Sequence, residues 1–114
     1  MRQDIENAKI RSTQLGCKSD HGILSCWIHV EGEGWGQGFG GYGLDGPWSE
    51  REQRRLDSTE CGRWISGILD ALELDTWEKL PGTIVRIRRS ENTIVAIGHA
   101  YKDRWFHARK EVTE

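Results

Sequence analysis

The segment Gly32 to Gly46, GEGWGQGFGGYGLDG, constrains the fold of this chain more than any other. Glycine loses more backbone freedom on folding than any other residue, so a dense run of it is either a loop or a strand that something must approach closely. Trp35, Phe39, Tyr42 and Leu44 set β-forming side chains between the glycines, and the segment reads as a Gly-rich strand over 34–44 with bulges. Gly36 to Gly41 also spells G-x-G-x-x-G, the letters of a dinucleotide-binding turn. That mechanism needs a helix N-terminus directly afterwards, and YGLDGP offers none.

The other elements fall on either side of this strand. Asn7 to Leu15 reads as a polar edge strand, with Ala8, Ile10 and Ser12 on one side and Lys9, Arg11 and Thr13 on the other. Gly16 to Gly22 reads as a turn and Ile23 to Val30 as a buried strand. Asp45 to Asp57 is a charged surface connection turned by Gly46-Pro47. Asp57 and Glu60 have capping-box spacing and start a helix whose Trp64, Ile65, Ile68, Leu69 and Leu72 form one apolar stripe, with Arg63, Ser66 and Asp70 facing away. Asp75 and Glu78 repeat the capping signature before a single turn that holds Trp77, closed by Pro81-Gly82. Thr83 to Arg89 and Asn92 to Tyr101 form a hairpin, with Val85 and Ile87 on one face and Ile84, Arg86 and Arg88 on the other. The expected fold is α+β: one domain, residues 1–114, with a small antiparallel sheet in β-β-β-α-β-β order and one amphipathic helix packed on it.

A chain of 114 residues buries about two-thirds of the surface it exposes when unfolded, enough for one core. No stretch approaches the ~20 apolar residues of a membrane helix, and MRQDIENAK does not resemble a signal peptide, so a cytoplasmic domain with no membrane partner is expected. Cys17, Cys26 and Cys61 are odd in number and match no disulfide framework, which implies free thiols. A net charge of −2 gives no long-range pull toward a nucleic acid polymer. Any anion must be held by a local cluster.

The chemistry-bearing residues point to binding rather than catalysis. Cys26 and His29 fall on opposite faces of their strand, and the Cys17–His21 pair has no second ligand pair, so neither a metal nor any other cofactor is expected. Asp57, Glu60, Asp75 and Glu78 are taken up as caps, no cysteine is marked as activated, and the chain is not expected to be an enzyme. The Arg51, Arg54, Arg55 cluster is diluted by acids. Arg86 and Arg88, by contrast, set two guanidinium forks side by side on one strand face, a geometry suited to phosphates, with a solvated face as the plain alternative. YKDRWF, Tyr101 to Phe106, mixes cations with aromatics and suits base stacking, a subunit interface or packing onto the core. Six tryptophans and the Gly-rich aromatic strand leave more apolar surface than one helix covers, so a homo-oligomer is expected.

The segments DHGILSCWIHVEGEGWGQGFGGYGLD, LDTWEKLPGTIVRI and IGHAYKDRWF resemble the phage-encoded Thoeris anti-defence proteins of the first-described family, over about Ile5 to Phe106. The resemblance implies a protein of the host cytoplasm that binds and sequesters cyclic ADP-ribose-type immune signals without cleaving them. Its partner would be a cyclic nucleotide signalling molecule, in some members also a cyclic oligonucleotide, and its state a homo-oligomer, dimer or hexamer. On this footing Trp77 is the expected base-stacking residue, Arg86, Arg88 and Arg104 the phosphate partners, and Phe39 and Tyr42 further ligand contacts. The alternative from another class is a small phage inhibitor that blocks a host defence protein, such as a CRISPR effector, by direct protein–protein binding.

Overall fold

The computed structural model describes residues 3–17 and 22–109; part of the turn expected at Gly16 to Gly22 lies outside the described residues. The chain is α+β. Strands β1 (Gln3–Gly16), β2 (Ser25–Gly32), β3 (Trp35–Gly43), β6 (Ile84–Ser90), β7 (Thr93–His99) and β8 (Trp105–His107) form one antiparallel six-stranded sheet in the order β3-β2-β1-β6-β7-β8. Helix α1 (Thr59–Leu72) packs on β7 and β8. The connection before it is a small two-stranded ribbon of β4 (Trp48–Ser49) and β5 (Arg54–Arg55). A single 3-10 turn, Trp77–Lys79, precedes β6. The sheet thus has one strand more than the sequence announces, because β8 spans only three residues and carries no periodicity.

β1 is central and not an edge strand. Its residues 3–9 pair with β6 and its residues 9–16 pair with β2, so each half has a neighbour on one side over most of its length. That one-sided pairing is why its polar sequence resembles an edge. A bulge at Arg11 lies between the Ile10–Val30 and Ser12–His29 pairs and shifts the alternation by one residue. Ala8 and Ile10 face the core, but Ser12 then faces out beside His29 and Thr13 faces in beside Ile28, the reverse of the expected alternation.

A second bulge, between Arg88 and Arg89, takes up Val95 on β7. Arg88 stays on the outer face opposite Ala96, whereas Arg89 turns inward. There Arg89 donates to Glu6 Oε1 at 2.8 Å and Gln37 Oε1 at 3.0 Å, with its guanidinium 4.6 Å from the Trp35 ring centre. Gln37 Nε2 in turn donates to the Asn92 carbonyl at 2.7 Å. These contacts tie β3 to the β6–β7 turn and curl the sheet around its inner face.

Inside the curl, Trp64 of α1 stacks on Phe39 of β3 at 5.2 Å and meets Phe106 of β8 at 5.0 Å, edge to face. Ile10, Ile28, Val30, Val85, Ile87 and Ile97 form the floor under it. The Trp64 indole N–H is buried and has no acceptor among the described residues, so its burial is stabilising through area and ring contacts alone.

The helix begins one residue later than Asp57 would set it. Ser58 is the N-cap, its hydroxyl accepting from the Glu60 N–H at 3.1 Å, while Asp57 points into solvent toward Arg54. Both oxygens of Glu60 are taken by Arg63 instead of the cap N–H. Arg63 does not face away: it also donates to the His107 and Ala108 carbonyls. The second expected capping box is absent too, since Thr76 is the N-cap of the 3-10 turn, without a side-chain bond, and Asp75 pairs with Lys79 at 2.8 Å. Urea denaturation checks these assignments: Ser58→Ala should cost about 1 kcal/mol, Asp57→Ala less than ~0.5 kcal/mol, and Trp64→Ala about 3–5 kcal/mol.

Candidate functional site

The sheet's outer face is the surface that α1 leaves uncovered. On β6 it presents Arg86 and Arg88; on β7, Ala96 and Gly98; on β8, Trp105 and His107. A side chain on Gly98 would come within 2.7 Å of the Trp105 ring, so the indole rests on bare backbone across the strand. Arg88 lies over that ring at 4.3 Å from its centre and Arg86 at 5.1 Å. Each contact has cation–π geometry.

The two arginines differ in what holds them. Arg86 donates from Nε to the His99 carbonyl at 2.8 Å and from Nη2 to the Lys102 carbonyl at 2.7 Å, pinning the turn between β7 and β8. Arg88 has no hydrogen-bond acceptor and no carboxylate partner among the described residues. Its guanidinium is therefore oriented by the indole while its donors remain available, an arrangement suited to a phosphate or carboxylate ligand.

Arg104 turns the other way. It pairs with Asp70 and Glu73 at the C-terminal end of α1, both at 2.9 Å. Glu73, in the left-handed conformation that ends the helix (φ 58°), also accepts from Lys102 Nζ at 2.9 Å. His99 Nδ1 accepts from the Tyr101 and Lys102 N–H groups, and His99 Nε2 lies 3.5 Å from Glu73 Oε1. Arg104 is thus spent on anchoring the β7–β8 turn to the helix.

The six expected ligand contacts do not form one site. Arg86 and Arg88 share the outer face as the alternation predicted. Phe39 is wholly buried against Trp64, so it serves the core. Tyr42 is half-buried against the same indole, with Arg109 5.8 Å from its ring centre. Trp77 lies on the inner side, donating from Nε1 to Thr13 Oγ1 at 3.2 Å. What sequence reading missed is Trp105, named only within YKDRWF, and its pairing with Gly98. The signal is an aromatic directly opposite a glycine across two strands, which cannot be read before the register is known.

Other chemistry is sparse. Burial, reinforced by nearby Cys61, pushes the Cys26 thiol from 9.0 up to about 12, so it carries no nucleophilic thiolate at neutral pH. Cys26 faces the core and His29 the outer face. His21, of the Cys17–His21 pair, lies outside the described residues. Among the described residues no group of His, Cys, Asp and Glu side chains is placed to hold a metal ion, and no helix is long and apolar enough to cross a membrane. The G-x-G-x-x-G letters lie in β3, where Gly40 (φ 120°) and Gly41 (φ 85°) form a bulge and no helix follows. Comparison with family models, curated proteins and solved structures returns no match.

Hydrogen bonds from Lys102 and Arg104 hold the Glu73 carboxyl below its ordinary value of 4.5. A depressed folded-state value contributes stability that is present above the unfolded value and lost as pH falls through the folded one. Thermal melts should show part of the acid destabilisation setting in below about pH 4.5. In Glu73→Gln that slope should be shallower, and a slope equal to wild type would show that the turn-to-helix anchor carries no such linkage.

Proposed function

We propose that this chain is a binding protein that captures a cyclic, adenine-containing nucleotide of the cyclic ADP-ribose type and holds it without cleaving it. In this reading it acts in the host cytoplasm as a phage inhibitor of bacterial immunity, in keeping with the family resemblance of its sequence blocks. The observation that carries the reading is Arg88, a guanidinium pre-set over the Trp105 indole with its donors uncommitted. A net charge of −2 supplies no long-range attraction to an anionic ligand, so affinity has to come from short, directed contacts of this kind.

Magnitudes bear on the assembly. One aromatic stack of ~1–3 kcal/mol and one charge-assisted bond of ~1.5–3 kcal/mol fall short of the roughly −8 to −12 kcal/mol that capture at micromolar to nanomolar levels requires. A second copy facing the first doubles the set, which favours a homo-oligomer. Ile5 and Ile84, each 53% exposed on the same outer face, supply apolar surface for that contact.

The test is to mix the protein with lysate containing an active signal-producing TIR enzyme, filter, heat the retained protein and identify what is released by mass spectrometry. An unaltered cyclic ADP-ribose isomer is expected from wild type and from Arg104→Ala, and none from Arg88→Ala with Trp105→Ala. An empty wild-type protein under saturating signal overturns the proposal, and tight capture of a host effector in its place favours the protein-blocking alternative. Light scattering should give a mass above 13.1 kDa; a monomer at micromolar concentration removes the paired-face argument.

A further inference from the structure

We infer that a second ligand site, independent of Arg88 and Trp105, lies at Trp27 near the other end of the outer face and takes an uncharged planar heterocycle of purine type. Trp27 stands on β2, separated from β8 by β1, β6 and β7. Its partner strand β3 presents only glycine to that face. His29 is paired with Gly38 and Glu31 with Gly36, while Gly40 and Gly41 form the bulge opposite Trp27. A side chain at Gly38 would come within 2.8 Å of the six-membered part of the indole, and one at Gly41 would collide with it outright. The run of glycine that dominates the sequence thus has a physical purpose here: it is the floor on which an indole lies.

A tryptophan laid on a strand in this way is held in place yet remains 37% exposed. His29 extends the surface, its ring nearly parallel to the indole (11°) at 6.0 Å. Beside the indole opens a cleft of about 390 Å³, within the range of small-molecule sites, walled by Ile23 and by Gly41 and Gly43. Among the described residues two polar side chains line it. Gln14 is the direct cross-strand partner of Trp27, so its amide stands next to the indole, and Ser25 lies at the start of the same strand. Neither the Gln14 amide nor the Ser25 hydroxyl has a hydrogen-bond partner among the described residues.

These features choose the ligand. Stacking on an exposed indole selects a planar ring. The described lining, Gln14, Ser25, Trp27, Ile23 and three glycines, offers stacking and neutral hydrogen bonds, the contacts a planar heterocycle uses. A carboxamide offers one donor and one acceptor side by side, the complement of the amino and ring-nitrogen edge of an adenine-type base. An aromatic protein side chain would satisfy the stack but leave the Gln14 amide unpaired.

The probe is adenosine, with ribose and N-acetyltryptophanamide as comparisons, titrated into ¹⁵N-labelled protein. The Trp27 indole N–H signal is assigned by its loss in Trp27→Phe. Adenosine should shift that signal and ribose should not. Gly38→Ala, which lifts the indole from its floor at a position of ordinary backbone conformation, should weaken adenosine binding roughly tenfold. Gln14→Ala, which leaves the stack intact, should weaken it about threefold. Arg88→Ala should bind adenosine as wild type does, which separates this site from the capture proposed above. The inference is overturned if millimolar adenosine leaves the Trp27 signal unmoved, if Gly38→Ala and Gln14→Ala both bind it unchanged, or if N-acetyltryptophanamide shifts the signal and adenosine does not.

Discussion

The contact on which the rest of the molecule depends is Trp64 between Phe39 and Phe106. Phe39 belongs to one edge strand of the sheet and Phe106 to the other, so a single helical indole is gripped by both edges. A flat six-stranded sheet would hold its edges roughly 24 Å apart at ~4.8 Å per strand step, and a common contact therefore demands the curl. Phe39 and Phe106 come within 6.3 Å of each other, edge to face. Arg89, Glu6 and Gln37 secure the same closure at the rim. With the inner face consumed in this way, chemistry is left to the outer one.

Around the sheet charge is sorted by commitment. Arg104 is neutralised by Asp70 and Glu73 and Arg89 by Glu6, while Arg86 spends its donors on two carbonyls of the turn it holds. A basic cluster of the sequence thus resolves into anchors, each fixing a turn or a strand end. Arg88 stands apart because its orientation comes from a ring face, which directs a guanidinium without consuming its donors.

The parts of this arrangement that depend on local pattern were legible in the sequence. The stripe Trp64, Ile68, Leu72, the Val85/Ile87 against Arg86/Arg88 alternation and the Gly-rich strand all follow from residues near one another in the chain. What escaped depends on register. The bulge at Arg11 inverted the faces of Ser12 and Thr13, and the bulge at Val95 shifted the register of β7 against β6. Phe39 offered no local sign that it faced inward, and Asp57 and Ser58 differ by one residue as helix caps, within the ordinary uncertainty of a helix start. Trp27 over Gly38 and Trp105 over Gly98 are pairings between strands, invisible until those strands are aligned.

The placement of Phe106 bears on how the chain acquires its structure. Phe39 and Trp64 emerge well before it during synthesis, and neither has its full set of neighbours until β8 exists. Contacts between segments so distant in sequence slow folding, since loop closure must precede any reward from packing. Until β8 docks, Trp64 lacks one of its aromatic walls and stays partly unshielded. Such a species is prone to aggregate, and its yield should be governed by how quickly the β7–β8 turn closes.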